Sequence, residues 1–533
     1  MAESYIVAHD LGTSGTKAAM TDITGKVIAS AERRYVVHYS PDGGAEQDPE
    51  DWWQAIVETT HEMMEKAGVD PSQVAGLSMS AQMVGTLPVD ADGKPLRRAM
   101  IWLDSRAEKE AEILREKTKL PFIGGKAPSA KVYWIMRNEP DVYARTHKML
   151  DCKDYLQFRM TGVYGTDFTL ASATTYFNPW TNVWWTDVLE AMELPIDKVP
   201  TAMQSTDIVG KLTAEAAAEL GLPEGTPVVS GGGDVPCAVI GSGAISAGRA
   251  HLYLGTSAWI MAITDRFILD AEGVGPGVGC DRTTYALGGE MDNAGGCLKW
   301  FAENLLGKAD EEAAAKEGIS LYQYMDRLAA EVPPGSEGLL FLPWIWGERA
   351  PVDDDNVRGG FVNLGLNHTK GHMIRAMLEG IGHHLRWIFS AIEAAGIPLK
   401  EVNVIGGGAA SPMWLQILAD TTNVRLLHVE GPLDACARGA AMTAAVGLGF
   451  YKDFSEVEKV IRLTGSEYTP NPEHRELYNK AYRDFRSLYK PLSDVGNDRV
   501  PPIDDRKRFS LKGWVEGFMM RKWIESQIAK AES

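Results

Sequence analysis

Two short turns carry the residue types that could hold a phosphate chain. The first is Asp10-Leu11-Gly12-Thr13-Ser14-Gly15-Thr16-Lys17; the second is Leu254-Gly255-Thr256-Ser257. In each, small residues let backbone approach phosphate oxygens, and hydroxyls and N–H groups donate to them. Asp10, at the head of the first turn, would face a magnesium ion. Neither turn is a Walker loop, because Gly-x4-Gly-Lys-Ser/Thr occurs nowhere in the chain. Taken singly, the first turn reads as an ordinary glycine-rich hairpin. Two turns of one design could grip a triphosphate from both sides of a cleft.

A carboxylate follows three glycines in Ser230-Gly231-Gly232-Gly233-Asp234. Asp234 could take a proton from an attacking hydroxyl at the floor of a cleft. It could equally cap the helix that starts with Val235 and Pro236, and a capping position would also fix a catalytic side chain. A second glycine turn, Ile405-Gly406-Gly407-Gly408-Ala409-Ala410-Ser411, could lie flat against an adenine or ribose, or serve only close helix–strand packing. Two further segments could line a sugar site: Ser80-Ala81-Gln82-Met83-Val84-Gly85 and Ile101-Trp102-Leu103-Asp104-Ser105-Arg106. Sugar recognition needs an aromatic or apolar platform beside paired donors and acceptors. The plain alternatives are core packing for Trp102 and a solvated ion pair for Asp104 and Arg106.

These residues need elements to position them. Residues 5–30 read as a strand, the first turn, a second strand and a further turn. The pattern recurs at 250–264, which suggests an internal duplication and a boundary near 247. Asp51 to Ala67 reads as a helix, with Asp48-Pro49 before it and Gly68 after it. His372 to Ala395 reads as a long helix and Val402 to Ile405 as a strand. Strand, glycines, helix is α/β punctuation. The expected domains are 1–247, 248–490 and an extension 491–533. Pro491, Gly496, Pro501 and Pro502 predict a loop, with a last helix-like stretch from Leu511 to Ala531.

A chain of 533 residues is too long for one core. Its formal net charge of -19 argues against a nucleic-acid partner. Phosphates would have to be held locally, by backbone N–H groups and a divalent cation, against that overall field. No apolar run predicts a transmembrane helix, and the N-terminus lacks signal-peptide features, so no membrane partner and a cytoplasmic location are expected. The scattered cysteines Cys152, Cys237, Cys280, Cys297 and Cys436 suit a reducing compartment.

The ordered set DLGTSGTK, AQMVG, IWLDSR, GGGD, YLGTSA, FLPWIWGERAP and IGGGA resembles the FGGY carbohydrate kinases, and among them the xylulokinases. The likeness runs from about Ile6 to Gly449. It implies an α/β fold of two ribonuclease-H-like domains of the actin/hexokinase ATPase type around an interdomain cleft. It further implies ATP and Mg2+ as cofactors, with nucleotide mainly on the C-terminal domain and sugar mainly on the N-terminal one. By this resemblance Asp234 is the catalytic base, and Asp10 and Asp234 serve the metal. Gly12, Thr13, Ser14, Gly255, Thr256 and Ser257 would lie along the phosphates, and Gly407, Gly408 and Ser411 at the adenosine. Gln82, Met83, Trp102, Asp104 and Asp234 would meet the sugar. The implied reaction is phosphorylation of a small sugar such as a pentulose. Another ketose, a polyol or a non-kinase actin-like ATPase are the alternatives, and a homodimer is possible. The role of Glu348-Arg349 stays open. Val84 stands where xylulokinases carry a sugar-contacting histidine.

Overall fold

The computed structural model describes residues 4–499, apart from 121 and 270. The chain opens with the expected hairpin. Strand β1 (Tyr5–Leu11) pairs antiparallel with β2 (Gly15–Asp22), and β2 with β3 (Val27–Arg34). Helix α1 (Pro49–Ala67) starts where Asp48 accepts a hydrogen bond from Glu50 N and ends at left-handed Gly68. It buries Trp52, Trp53, Ile56 and Met63 against the sheet. Strand β4 (Val74–Ala81) then runs parallel to β1. Two helices follow, α2 (Pro128–Asn138) and α3 (Cys152–Thr161). Strands β5 (Ile208–Lys211), β6 (Pro227–Val229) and the short β7 (Gly232–Gly233) complete the sheet, ahead of helix α4 (Asp234–Ser242).

The second half repeats the plan with β8 (Ala250–Leu254), β9 (Ala258–Thr264), β10 (Gly275–Val278), β11 (Tyr285–Met291), helix α5 (Gly295–Leu305) and helix α6 (Lys370–Ala394). Strand β12 (Glu401–Ile405), β13 (Arg425–Val429), helix α7 (Ala435–Gly447) and β14 (Leu463–Tyr468) follow. The strand order is β5-β6-β4-β1-β2-β3 in the first sheet, with β7 beside β4, and β14-β13-β12-β8-β9-β11-β10 in the second. Strand for strand, the parallel and antiparallel pairings agree. The duplication suggested by two similar turns therefore extends to whole sheets.

The halves also exchange helices. Helix α7, from the second half, packs on β1, β2 and β4 of the first sheet, and α4 packs on β8 and β12 of the second. Their crossing is tight enough to require glycine. A Cβ at Gly241 would sit 1.8 Å from Ala435 O, and one at Gly439 would sit 1.8 Å from Cys237 O. Alanine-rich α7 fills the space between the sheets with Ala437, Ala440, Ala441 and Ala444 against Ile6, Ala8 and Ala19. Each domain keeps its own larger core besides.

Helix α8 (Arg475–Arg499) departs from expectation. A loop was expected from Pro491, yet the helix runs through Pro491 and Gly496, so the boundary drawn at 490 falls inside it. Its apolar face explains why: Tyr482, Phe485, Leu488, Tyr489 and Leu492 pack around Trp344 and Trp387. Tertiary burial of that face outweighs the local helix-breaking preference of one proline. The expected helix from Leu511 to Ala531 lies outside the described residues.

Candidate active site

Between the two sheets lies a cleft of about 640 Å³, and both turns open into it. Gly12, Thr13 and Ser14 line it from the first turn, Thr256 and Ser257 from the second. Gly255 sits just behind, its N–H donating to Ser257 O at 2.9 Å. Asp10 and Asp234 share the floor. Ser80 Oγ donates to Asp10 Oδ1 at 2.8 Å, which orients that carboxylate from the neighbouring strand. Asp234 is the first residue of α4, and its Oδ1 accepts from Val235 N at 2.8 Å. Gly233 takes the N-cap position without a side-chain cap bond, so Asp234 is the first helical residue rather than the cap expected from sequence, and its carboxylate stands in the cleft.

Burial, then repulsion from Asp10, pushes Asp234 up to about 8. Burial also raises Asp10. Two carboxylates withdrawn from water and repelling one another are short of positive charge, and a divalent cation would supply it. Among the described residues no cluster of three or more acidic, His or Cys side chains could cage a metal alone. Two carboxylate oxygen donors would fit magnesium, which keeps waters and takes phosphate oxygens as further ligands.

The sugar-side segments meet at the first turn. Trp102 Nε1 donates to Thr13 Oγ1 at 2.8 Å, and Gln47 Nε2 donates to Thr13 O at 2.6 Å. Gln82 Nε2 in turn donates to Gln47 Oε1 at 2.7 Å. Gln82, Met83, Val84 and Trp102 all line the cleft. Asp104 does not: it is fully buried, accepts from Ala45 N at 2.9 Å and pairs with Arg106 at 2.6 Å. That pair is buried rather than solvated, and Arg106 also reaches Glu46.

On the opposite side Gly406 lines the cleft, whereas Gly407, Gly408 and Ser411 lie in the turn just beyond it. Ser411 caps the next helix, its Oγ accepting from Trp414 N at 3.0 Å. Tyr253 and Trp259 stack at 3.8 Å beside the second turn and form an aromatic wall.

Sequence reasoning missed Tyr253, Trp259, Glu290 and the segment from Pro432 to Cys436. The aromatic pair was open to detection, since it flanks Gly255-Thr256-Ser257 on adjacent strands. It also left Glu348-Arg349 without a role. Buried Glu348 accepts through Oε1 from Asp292 N at 2.9 Å and Arg349 N at 3.0 Å, which fixes the loop. Arg349 then bridges Glu290 and Asp292, and its guanidinium lies 5.7 Å from the Trp102 ring centre across the cleft.

Paired sheets of matching topology, with phosphate-type turns facing one cleft, define a two-domain ribonuclease-H-like fold of the actin-type ATPases. Within that class the chain belongs to the FGGY family of carbohydrate kinases: residues 5–241 match the family's N-terminal domain and residues 250–448 its C-terminal domain. It is 32% identical to the xylulose kinase of Bacillus subtilis (strain 168) over 505 residues, 92% of this chain and 98% of that one. The gluconate kinase structure from Lactobacillus acidophilus superposes with a TM-score of 0.83 at 28% identity, covering 94% of this chain and 100% of the other. The ligand-bound xylulose kinase structure from the same organism gives 0.82 at 27%, covering 93% and 100%. The chain is a xylulokinase-like carbohydrate kinase that phosphorylates a sugar with ATP. Among the described residues no helix is long and apolar enough to cross a membrane.

Proposed function

We propose that the protein transfers the γ-phosphoryl group of ATP to a hydroxyl of a small ketose, a pentulose such as xylulose first among them. One observation carries this reading: a single cleft gathers both GTS turns, Asp10, Asp234 and the Gln82–Trp102 face. Asp234 orients the sugar hydroxyl and takes its proton as the new O–P bond forms and the bond to ADP breaks. Gly12, Thr13, Ser14, Gly255, Thr256 and Ser257 donate along the phosphates, and the turn at Gly407, Gly408 and Ser411 borders the adenosine. Asp10 and Asp234 would hold magnesium, which supplies charge neutralisation at the phosphates. Closing the domains around the exchanged helices excludes water that would compete for the phosphoryl group. The five unpaired cysteines support a reducing cytoplasm as the location.

Gluconate is the second reading, on the strength of the Lactobacillus acidophilus gluconate kinase likeness. The charge of the cleft favours a neutral sugar. Arg349 is already held between Glu290 and Asp292, so a substrate carboxylate there would meet the Glu290 charge. A coupled assay of ADP release over pentuloses, hexuloses, polyols and gluconate decides between them. ADP release stimulated by a pentulose is expected. The absence of stimulation by any sugar would sink the kinase reading, and a preference for gluconate would replace the ketose.

A further inference from the structure

We infer that Lys131 and Asp151 form a two-sided clamp on the Val84–Gly85 peptide, and that by fixing Val84 in the left-handed conformation this clamp sets which sugar the cleft accepts. The inference rests on the sugar-side reading above. Val84 has φ 68°, a conformation that β-branched residues rarely adopt without external support. The support acts on one peptide unit from both sides. Lys131 Nζ donates to Val84 O at 2.8 Å, and Gly85 N donates to Asp151 Oδ2 at 2.9 Å. Gly85 has no room for a side chain there, because a Cβ would lie 2.2 Å from Asp151 Oδ1.

Lys131 does more than hold one carbonyl. Its ammonium also donates to Ile101 O at 2.7 Å, next to Trp102. One buried amino group thus ties together the two segments proposed to line the sugar end of the cleft. It comes from α2, and Asp151 caps α3, where its Oδ1 accepts from Cys152 N at 2.7 Å. Neither side chain lines the cleft, whereas Val84 does. Burial lowers Lys131 to about 7. A buried lysine amine is an expensive way to brace a loop, and here it donates to the peptide beside a cleft-lining side chain. Without the clamp the Val84–Gly85 peptide is no longer anchored in place, so rotation about the Val84 N–Cα bond relaxes φ to negative values and carries the side chain off the proposed sugar wall. Lys131 and Asp151 are positioning residues.

The test is a cycle of Lys131→Met, Val84→Gly and the double variant, read as sugar KM, ATP KM, kcat and melting temperature. Lys131→Met should raise the KM of the best sugar about tenfold or more, and shift ATP KM by no more than about twofold. Glycine adopts positive φ unaided, so in the Val84→Gly background the same Lys131→Met change should shift sugar KM by less than about threefold. A parallel rise of sugar and ATP KM, a change in melting temperature alone, or full additivity in the double variant overturns the clamp. If Lys131→Met does not fold, Asp151→Asn decides in its place. It should raise sugar KM about threefold with ATP KM unmoved, and an unchanged sugar KM overturns the proposal. Wild-type protein that phosphorylates no sugar in the panel would instead sink the functional reading, a result distinct from either outcome.

Discussion

The two GTS turns have the same backbone origin and different support. Each joins the first two strands of its sheet. The N-terminal turn is held chiefly by side chains, with one backbone bond from Tyr35 N to Ser14 O at 3.3 Å: Tyr35 OH donates to Gly12 O at 2.5 Å, Gln47 to Thr13 O, and Trp102 to the Thr13 hydroxyl. The C-terminal turn is held by backbone at the start of α5. Gly295 N donates to Gly255 O at 2.9 Å, and Ala294 N and Gly296 N donate to Thr256 O at 2.8 and 2.9 Å. Backbone ties are fixed once the helix forms. The side-chain ties run through Gln47 to Gln82 and through Trp102, the residues proposed to face the sugar. Two turns of like origin thus carry different support, and among the described residues the first alone is bonded by side chains to the proposed acceptor side. On the proposed reading, occupancy of the sugar site can reach the first turn through side-chain hydrogen bonds that the second turn lacks among the described residues.

The largest expected effect tests whether chemistry and nucleotide binding divide along this line. Asp234→Asn should lower turnover by about a hundredfold or more, as loss of a general base implies. Its affinity for ATP by calorimetry should stay nearly unchanged. A fall of less than tenfold would leave Asp234 as a helix-start residue only.

A smaller effect separates the turns themselves. Thr256→Val should weaken ADP binding by about tenfold or more, the scale of one lost hydrogen bond to a charged group, and leave sugar KM alone. Thr13→Val should weaken ADP binding similarly and raise sugar KM too, because Trp102 Nε1 loses its acceptor. Calorimetry with ADP and AMP, together with sugar kinetics, reads both. Equal behaviour of the two variants would abolish the asymmetry.

Smaller again is the effect of restoring histidine on the sugar wall. Val84 offers no hydrogen bond, so a sugar hydroxyl facing it goes unpaired, at about 1–3 kcal/mol of discrimination. Val84→His should raise catalytic efficiency on D-xylulose, relative to the protein's best substrate, by about tenfold. Histidine also tolerates positive φ better than valine does, so the clamped backbone suits it. An unchanged ratio in a panel assay would mean that residue 84 does not contact the sugar.

What could be read from sequence was local. The hairpins, their repetition and the glycines ahead of Asp234 are short patterns whose backbone demands are encoded within a few residues. Arg349 over Trp102, Glu290 near Asp234, and the Lys131 and Asp151 bonds to one peptide join residues far apart in the chain, and no spacing announces them. Asp104 illustrates the limit. Its neighbours suggested a cleft residue, yet its carboxylate is consumed by Arg106 and Ala45 N. Val84 was visible as a departure from the family pattern, but its left-handed backbone was not.

The smallest expected effect concerns the C-terminal side, where proline and glycine predicted a loop and packing made a helix. The end of α8 braces the loop that carries Arg349. Ser493 Oγ donates to Asp354 Oδ2 at 2.6 Å, and Tyr489 OH donates to the same oxygen at 3.1 Å. Asp354 and Glu348 exchange backbone hydrogen bonds at 2.9 and 3.0 Å. Two truncations isolate this brace, one after Arg499 and one after Leu492, since both remove residues 500–533 and only the second removes Ser493. A hydrogen bond to a carboxylate contributes about 1.5–3 kcal/mol. In a domain of this size each kcal/mol moves the melting temperature by about 2–4 °C. The shorter protein should therefore melt several degrees below the longer one in a thermal-shift assay, with turnover within about twofold because Asp234 and both turns lie elsewhere. Equal melting temperatures would mean that the helix beyond Leu492 carries no stability. A large loss of sugar affinity in the shorter protein would show that Arg349, reaching Trp102 from the C-terminal side, also reads the acceptor, and the division between the two turns would then have to include a third contact across the cleft.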